Sequence, residues 1–163
     1  MHLNLSATRD AGLAALQSFA PEMGRQYADS RNFDRGMGEH TSVSVLSAYI
    51  SRRLITEQEV VLLALSAHGY EEAEKFVQEV FWRAYFKGWL ELRPQVWDLY
   101  RDGLNSDLRC LKLDRGLRSD VSCALSGKTG IACFDSWVVE LQKTGYLHNH
   151  ARMWFASIWI FTL

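Results

Sequence analysis

Only two prolines, Pro21 and Pro94, interrupt this 163-residue chain. Proline ends helices because it lacks an N–H and clashes with the preceding turn, so their scarcity leaves most of the chain open to long helices. The apolar residues use that freedom. Leu13, Leu16 and Phe19 recur at helical spacing within residues 1–20, and a second helix is predicted over 42–53. Thr56 and Glu59 form a capping box ahead of a helix over about 57–67 that ends near Gly69. The longest helix is predicted from about Tyr70 to Leu92, stopping before Pro94. Asp135 is expected to cap a helix through Lys143, with Gly145 closing it, and a last helix begins near Asn149. Residues 21–41 are rich in glycine and charge, and residues 95–130 are broken by Gly103, Gly116, Gly127 and Gly130; both read as irregular. No strand-like alternation and no internal repeat is visible. The expected class is all-α, a helical bundle forming one domain over residues 1–163.

Composition narrows what such a bundle can do. Apolar residues make up 48% of the chain, which argues against disorder. The net charge of −1 means that a nucleic-acid partner would meet a local patch rather than a global field. One candidate run holds Arg109, Lys112, Arg115 and Arg118 against the single acid Asp114; a solvated loop is the simpler reading. The cysteines Cys110, Cys123 and Cys133 are odd in number and form no Cys-x-x-Cys. That disfavours a disulfide framework or a zinc site and fits a reducing cytoplasm. The first dozen residues lack the pattern of a signal peptide. Met153 to Leu163 is almost wholly apolar but too short to cross a bilayer, so it is expected to be a buried helix. It runs to the last residue without a cap, as in a chain that is incomplete there or hides that helix by self-association.

Several side chains stand where they can do chemistry. Glu79, Trp82, Arg83 and Phe86 fall on one helix face by 3–4 spacing. Together they offer a carboxylate, an indole and a guanidinium for a planar ring and a phosphate; a Glu79–Arg83 surface ion pair beside core aromatics fits the spacing too. Asn149, Arg152 and Met153 share a face of the last helix, where a buried arginine must find an acceptor and the asparagine can equally be a cap. Ser42, Ser44 and Ser47 near a helix start suit either an anion or ordinary capping. Gly127-Lys128-Thr129-Gly130 has a phosphate-loop look, yet Ser122 stands where a Walker loop needs glycine, and no strand precedes it. His148 and His150 lack the further ligands of a metal site, and no metal is expected.

Taken together, these segments resemble the FAD-binding half of DNA photolyases and cryptochromes. The most specific stretch is Gly127-Lys128-Thr129-Gly130, Asp135, Leu141, Thr144-Gly145-Tyr146, His148-Asn149, Arg152-Met153 and Ala156-Ser157, whose spacing follows the family throughout. Glu79 to Arg83 resembles its E-x-x-W-R-E motif, Tyr27 with Arg31-Asn32-Phe33 its tyrosine segment, and Ser44 to Ser47 its T-S-x-L-S motif. The resemblance implies FAD as cofactor, held by Tyr27, Ser44, Leu46, Ser47, Arg83, Asn149 and Arg152. It implies pyrimidine-dimer DNA as partner, with Glu79, Trp82, Asn149 and Met153 around the lesion. It also implies a flavin domain incomplete at its C-terminus and lacking the family's antenna domain. Arg53 replaces a common glycine, Val43 a threonine and Ala84 a glutamate. Tyr146 replaces a lesion-stacking tryptophan and His150 a phosphate-binding arginine. The function implied is light-driven dimer repair by electron transfer from reduced flavin; the alternatives are a cryptochrome-like sensor without repair and a helical module that holds no FAD.

Overall fold

The computed structural model describes residues 6–163, and all regular structure among them is helical. Residues 1–5, part of the first expected helix, lie outside the described residues. The chain divides into two compact units, one ending at Trp89 and the other spanning Leu90–Leu163.

In the first unit, α1 (Arg9–Phe19) starts where the Thr8 hydroxyl accepts from the Ala11 N–H at 3.2 Å. It buries Leu16 and Phe19. A 3₁₀ turn (Ala20–Glu22) with Pro21 in its first turn leads to α2 (Arg25–Ser30), so the stretch expected to be irregular holds a short helix. Tyr27 on α2 is buried, and its burial rather than a long apolar period fixes this turn of helix. α3 (Ser47–Ser51) is shorter than the predicted 42–53. Val45, just before it, has φ 51°, a left-handed conformation costly for a β-branched residue and incompatible with continued helix. Arg53 also has φ 57°, a left-handed conformation that favours glycine, the residue the resemblance implies there.

The long helix α4 (Glu57–Glu91) is broken at Gly69, whose φ of 71° and ψ of 173° no α-helix contains. The expected division into a helix ending near Gly69 and another beginning at Tyr70 is therefore present as a kink. The capping box forms as read: the Glu59 carboxylate accepts from the Thr56 N–H at 2.8 Å, and the Thr56 hydroxyl from the Glu59 N–H at 3.2 Å. Glu59 also pairs with Arg9. These bonds, that from Arg9 first, hold its carboxyl at about 2, below the ordinary 4.5. A folded-state value below the unfolded one means the stabilisation is complete above about pH 4.5 and is lost as pH falls towards 2. The melting temperature is thus expected to drop less over that interval in Glu59→Gln than in the unsubstituted chain.

The core of this unit gathers Phe19, Met23, Tyr27, Leu46, Ile55, Val60, Ala64, Ala73 and Phe76. Tyr27 meets Phe76 edge to face at 5.1 Å and Phe19 at 6.4 Å, a favoured aromatic geometry. His68, just before the kink, places Nε2 2.7 Å from the Ala20 carbonyl oxygen. Its ring leaves no room at Gly24, where an added Cβ would lie 2.6 Å from Nδ1. Gly24→Ala is expected to cost about 1–3 kcal/mol through this overpacking, read as a lower denaturation midpoint.

In the second unit, residues 95–125, expected to be irregular, form two helices, α5 (Gln95–Leu113) and α6 (Arg115–Leu125). Glycine at 103 and 116 is tolerated inside them at about 1 kcal/mol each, and Asp114 separates them by capping α6, its Oδ1 accepting from the Leu117 N–H at 3.0 Å. None of the residues of α5 is buried, although Trp97 and Tyr100 stack at 5.3 Å. α7 (Ala132–Thr144) is closed by left-handed Gly145 as expected, and α8 (Asn149–Phe161) comes after it. Their core is Phe134, wholly buried, stacked on Phe155 at 4.6 Å and on Trp159 at 5.8 Å, with Ala124 and Val138. The apolar last helix is therefore only half covered: Met153, Trp154, Ile160 and Phe161 are exposed. Among the described residues no helix is long and apolar enough to cross a membrane.

Candidate functional site

Six of the residues singled out from the sequence line one small cavity in the first unit: Tyr27, Ser44, Leu46, Ser47, Glu79 and Arg83. They come from α2, the loop before α3, the start of α3, and α4 beyond the kink. Ile50, Val60, Phe76 and Val80 supply its apolar wall, and its volume is about 120 Å³. Arg83 Nη2 donates to the Ser51 hydroxyl at 2.6 Å, while its Nε is buried with no hydrogen-bond partner. A buried donor left unmatched costs about 1–3 kcal/mol, so this guanidinium is set to receive an acceptor. The Tyr27 hydroxyl is held above its ordinary acidity range by burial, and then by the negative charge of Glu79. The Ser44 hydroxyl accepts weakly from the Leu46 N–H at 3.4 Å. Neither Ser44 nor Ser47 caps α3, which has no side-chain cap.

The Glu79–Arg83 ion pair allowed by spacing does not form. Glu79 pairs with Arg31 instead, whose guanidinium carbon lies 5.9 Å from the centre of the Tyr27 ring. Ser51 is the polar residue that sequence reasoning passed over, and Arg31, named only as part of the tyrosine segment, was given no role in the site. Arg31 lies four residues after Tyr27, on the same side of a helical turn, which is the signal that would have found it.

Trp82 does not join this cavity. Neighbouring positions on a helix are about 100° apart, so a groove that takes Arg83 turns Trp82 away. Trp82 is 62% exposed. It meets Tyr85 edge to face at 5.6 Å and, with Gln78, Phe81 and Tyr85, lines a separate apolar hollow of about 320 Å³. Phe86 is also exposed, stacked on Trp89 at 6.1 Å. The single face read from 3–4 spacing thus splits into two.

In the second unit, Asn149, Arg152 and Met153 sit together at the exposed start of α8, where Arg152 Nη2 donates to Asn149 Oδ1 at 3.3 Å. Arg152 is exposed, so the buried acceptor it was expected to need is not required within this unit. His148, not Asn149, caps the helix, its Nδ1 accepting from the His150 N–H at 3.3 Å. The phosphate-like loop is closed from within. The Asp135 carboxylate accepts from the N–H and hydroxyl of Thr129, at 3.0 and 2.7 Å, and from the Gly130 N–H at 3.1 Å. Those bonds, the Thr129 N–H first, hold its carboxyl below the ordinary carboxylate pKa range. Asp135 is therefore a clamp on the loop rather than the N-cap expected, a position that Ile131 takes.

Comparison with known proteins places the chain in a family. Residues 76–163, more than half of the chain, match the family described as the FAD binding domain of DNA photolyase. The chain is 29% identical over 135 residues to a deoxyribodipyrimidine photo-lyase of Buchnera aphidicola subsp. Baizongia pistaciae, covering 77% of this chain and 27% of that protein. It is 27% identical over 148 residues to the deoxyribodipyrimidine photo-lyase of Vibrio cholerae serotype O1, covering 88% of this chain and 30% of that protein. It thus spans less than a third of the length of these curated relatives. No solved structure gives a significant match. The helical architecture and the matched stretch from Phe76 to Leu163 agree: the chain belongs to the family of the FAD binding domain of DNA photolyase.

Proposed function

We propose that this chain is part of a photolyase-like flavoprotein, that residues 1–163 are one portion of its FAD-binding domain, and that its role is light-driven repair of pyrimidine dimers in DNA. The observation that carries the reading is the buried Arg83 Nε with no acceptor, in a cavity lined also by Tyr27, Ser44, Leu46 and Ser47. A volume of about 120 Å³ is well below the roughly 300–1,000 Å³ of sites that enclose a whole small-molecule ligand. It suits a phosphate-sized group and is too small for a whole dinucleotide. The donor set fits that group: a guanidinium fork and two serine hydroxyls are phosphate ligands. In this reading Arg83 and the serines hold phosphate and Tyr27 packs on the cofactor.

Bound reduced FAD would supply, under light, the electron that splits the dimer and is then returned. The side chains would bind, orient and exclude water. Trp82 offers an exposed indole to an extruded base, and Glu79 keeps one carboxylate oxygen beyond its link to Arg31. The resemblance also assigns flavin or lesion contacts to Asn149, Arg152 and Met153 of α8, which belong to the second unit.

A second reading, a cryptochrome-like light or redox sensor, draws on the same Arg31–Glu79 pair, because an acid already paired is a poorer ligand for a dimer. Tyr146 and His150, at positions where repair enzymes carry tryptophan and arginine, point the same way. The test is the visible spectrum of the purified chain before and after denaturation, with a blue-light assay on dimer-containing DNA as its second stage. Flavin at near-equal stoichiometry with repair supports the first reading. Flavin without preference for damaged DNA supports the second. No flavin after incubation with excess FAD rejects both for this chain.

A further inference from the structure

We infer that α5 is a self-association helix, whose apolar stripe pairs antiparallel with α5 of a second copy of this chain. The helix is amphipathic, yet none of its side chains is buried. Trp97, Tyr100, Leu104, Leu108 and Leu111 recur at spacings of three and four, which puts them on one face. The first four are exposed and Leu111 is half-buried. An amphipathic helix draws most of its stability from covering such a face.

The order of residues along the stripe selects the occupant. Leu104 is its midpoint: Tyr100 and Leu108 stand four residues to either side, and Trp97 and Leu111 seven. A two-fold axis at Leu104 sets Leu104 against Leu104, Tyr100 against Leu108 and Trp97 against Leu111 of the second copy. Every apolar side chain of the stripe then finds an apolar one.

The charges follow the same axis. Asp98, Arg101 and Asp102 give the first half of the helix a net charge of −1, and Asp107, Arg109 and Lys112 give the second half +1. Antiparallel pairing brings unlike halves together and opposes the helix dipoles, whereas parallel pairing would set Asp98 against Asp98 and Lys112 against Lys112. Asp98 follows Trp97 and Lys112 follows Leu111, so Asp98 of one copy faces Lys112 of the other along one edge, twice in the dimer. On that edge Asp102, Asn105, Leu108, Arg109 and Lys112 line a hollow of about 500 Å³. Two cations against one carboxylate make it a seat for an acidic side chain.

A helix of 19 residues is about 28 Å long. One such face lies at the low end of specific interfaces, about 1,200 Å² or less, so a reversible dimer with a Kd of about 1–100 µM is expected. None of these residues lines the candidate flavin cavity, and pairing is expected with or without FAD.

The test is sedimentation equilibrium of the full chain from about 1 µM to 1 mM. Leu104→Glu, which sets a carboxylate against its own image on the axis, is expected to weaken the dimer at least about 100-fold with unchanged helical circular dichroism. Asp98→Lys and Lys112→Asp are each expected to weaken it about 3- to 30-fold. An equimolar mixture of these two variants should regain the dimer, because each meets unlike charge only in the other. A chain that stays monomeric throughout overturns the inference. So does a dimer that survives Leu104→Glu, which would move association to another face such as the exposed end of α8. A mixture no tighter than the separate variants also overturns it, and does so even if Leu104→Glu fails to fold.

Discussion

Phe134→Ala is expected to destabilise the second unit by about 3–5 kcal/mol, the range for removing a buried phenyl ring from a core. The ring is wholly buried and stacks on both Phe155 and Trp159, with interplanar angles of 10° and 28°. Only Ala124 and Val138 join it as fully buried apolar partners, so little else in that cluster can collapse into the space. Whole domains are stable by about 5–15 kcal/mol, and this one side chain is a large share of that. Urea denaturation monitored by helical circular dichroism should show the loss, and Phe134→Leu should show a smaller one. A midpoint that barely moves in Phe134→Ala would mean that α7 and α8 are not held together by this stack.

The second large effect concerns ligand binding rather than stability. Under the proposed function, Arg83→Leu should weaken FAD binding roughly 10- to 150-fold, the equivalent of about 1.5–3 kcal/mol for a hydrogen bond to a charged group. Its effect on folding should be small or favourable, because the substitution removes a buried Nε that has no partner and gives up one bond to exposed Ser51. Arg83→Lys should not restore affinity, since a lysine lacks the planar fork. Titration with FAD beside a thermal melt separates the two quantities. Lower stability with unchanged affinity would make Arg83 a packing residue and remove it from the site.

Where local signals decide structure, they are legible in the chain. Thr56 and Glu59 form a capping box in almost any context, Gly145 ends a helix by adopting a conformation other residues resist, and Gly69 breaks one for the same reason. The joining of Tyr27, Ser44, Ser47 and Arg83 in one cavity is legible only through resemblance, because they lie up to 56 positions apart and no periodicity links them. The α5–α6 helices, although both are amphipathic, escape a reading that treats Gly103 and Gly116 as breaks, because glycine lowers helix propensity without forbidding helix. Trp82 is misplaced by spacing for a different reason. Spacing by threes and fours tolerates a wide arc of a helix, and only the neighbours decide where that arc is divided.

In α5 a helix is made without being buried. Nineteen residues of backbone are ordered there with no side chain fully buried and only Val96 and Leu111 half-buried. Such a segment draws its order from nearest-neighbour propensity and from links such as the Trp97–Tyr100 stack, and short helices of that kind are marginal in water. Its amide protons are then free to exchange by local fraying, ahead of those around Phe134, which need the cluster itself to open. The second unit is in that sense two populations of hydrogen bonds with different lifetimes, one set by α5 and its packing on α6 and one by the aromatic stack.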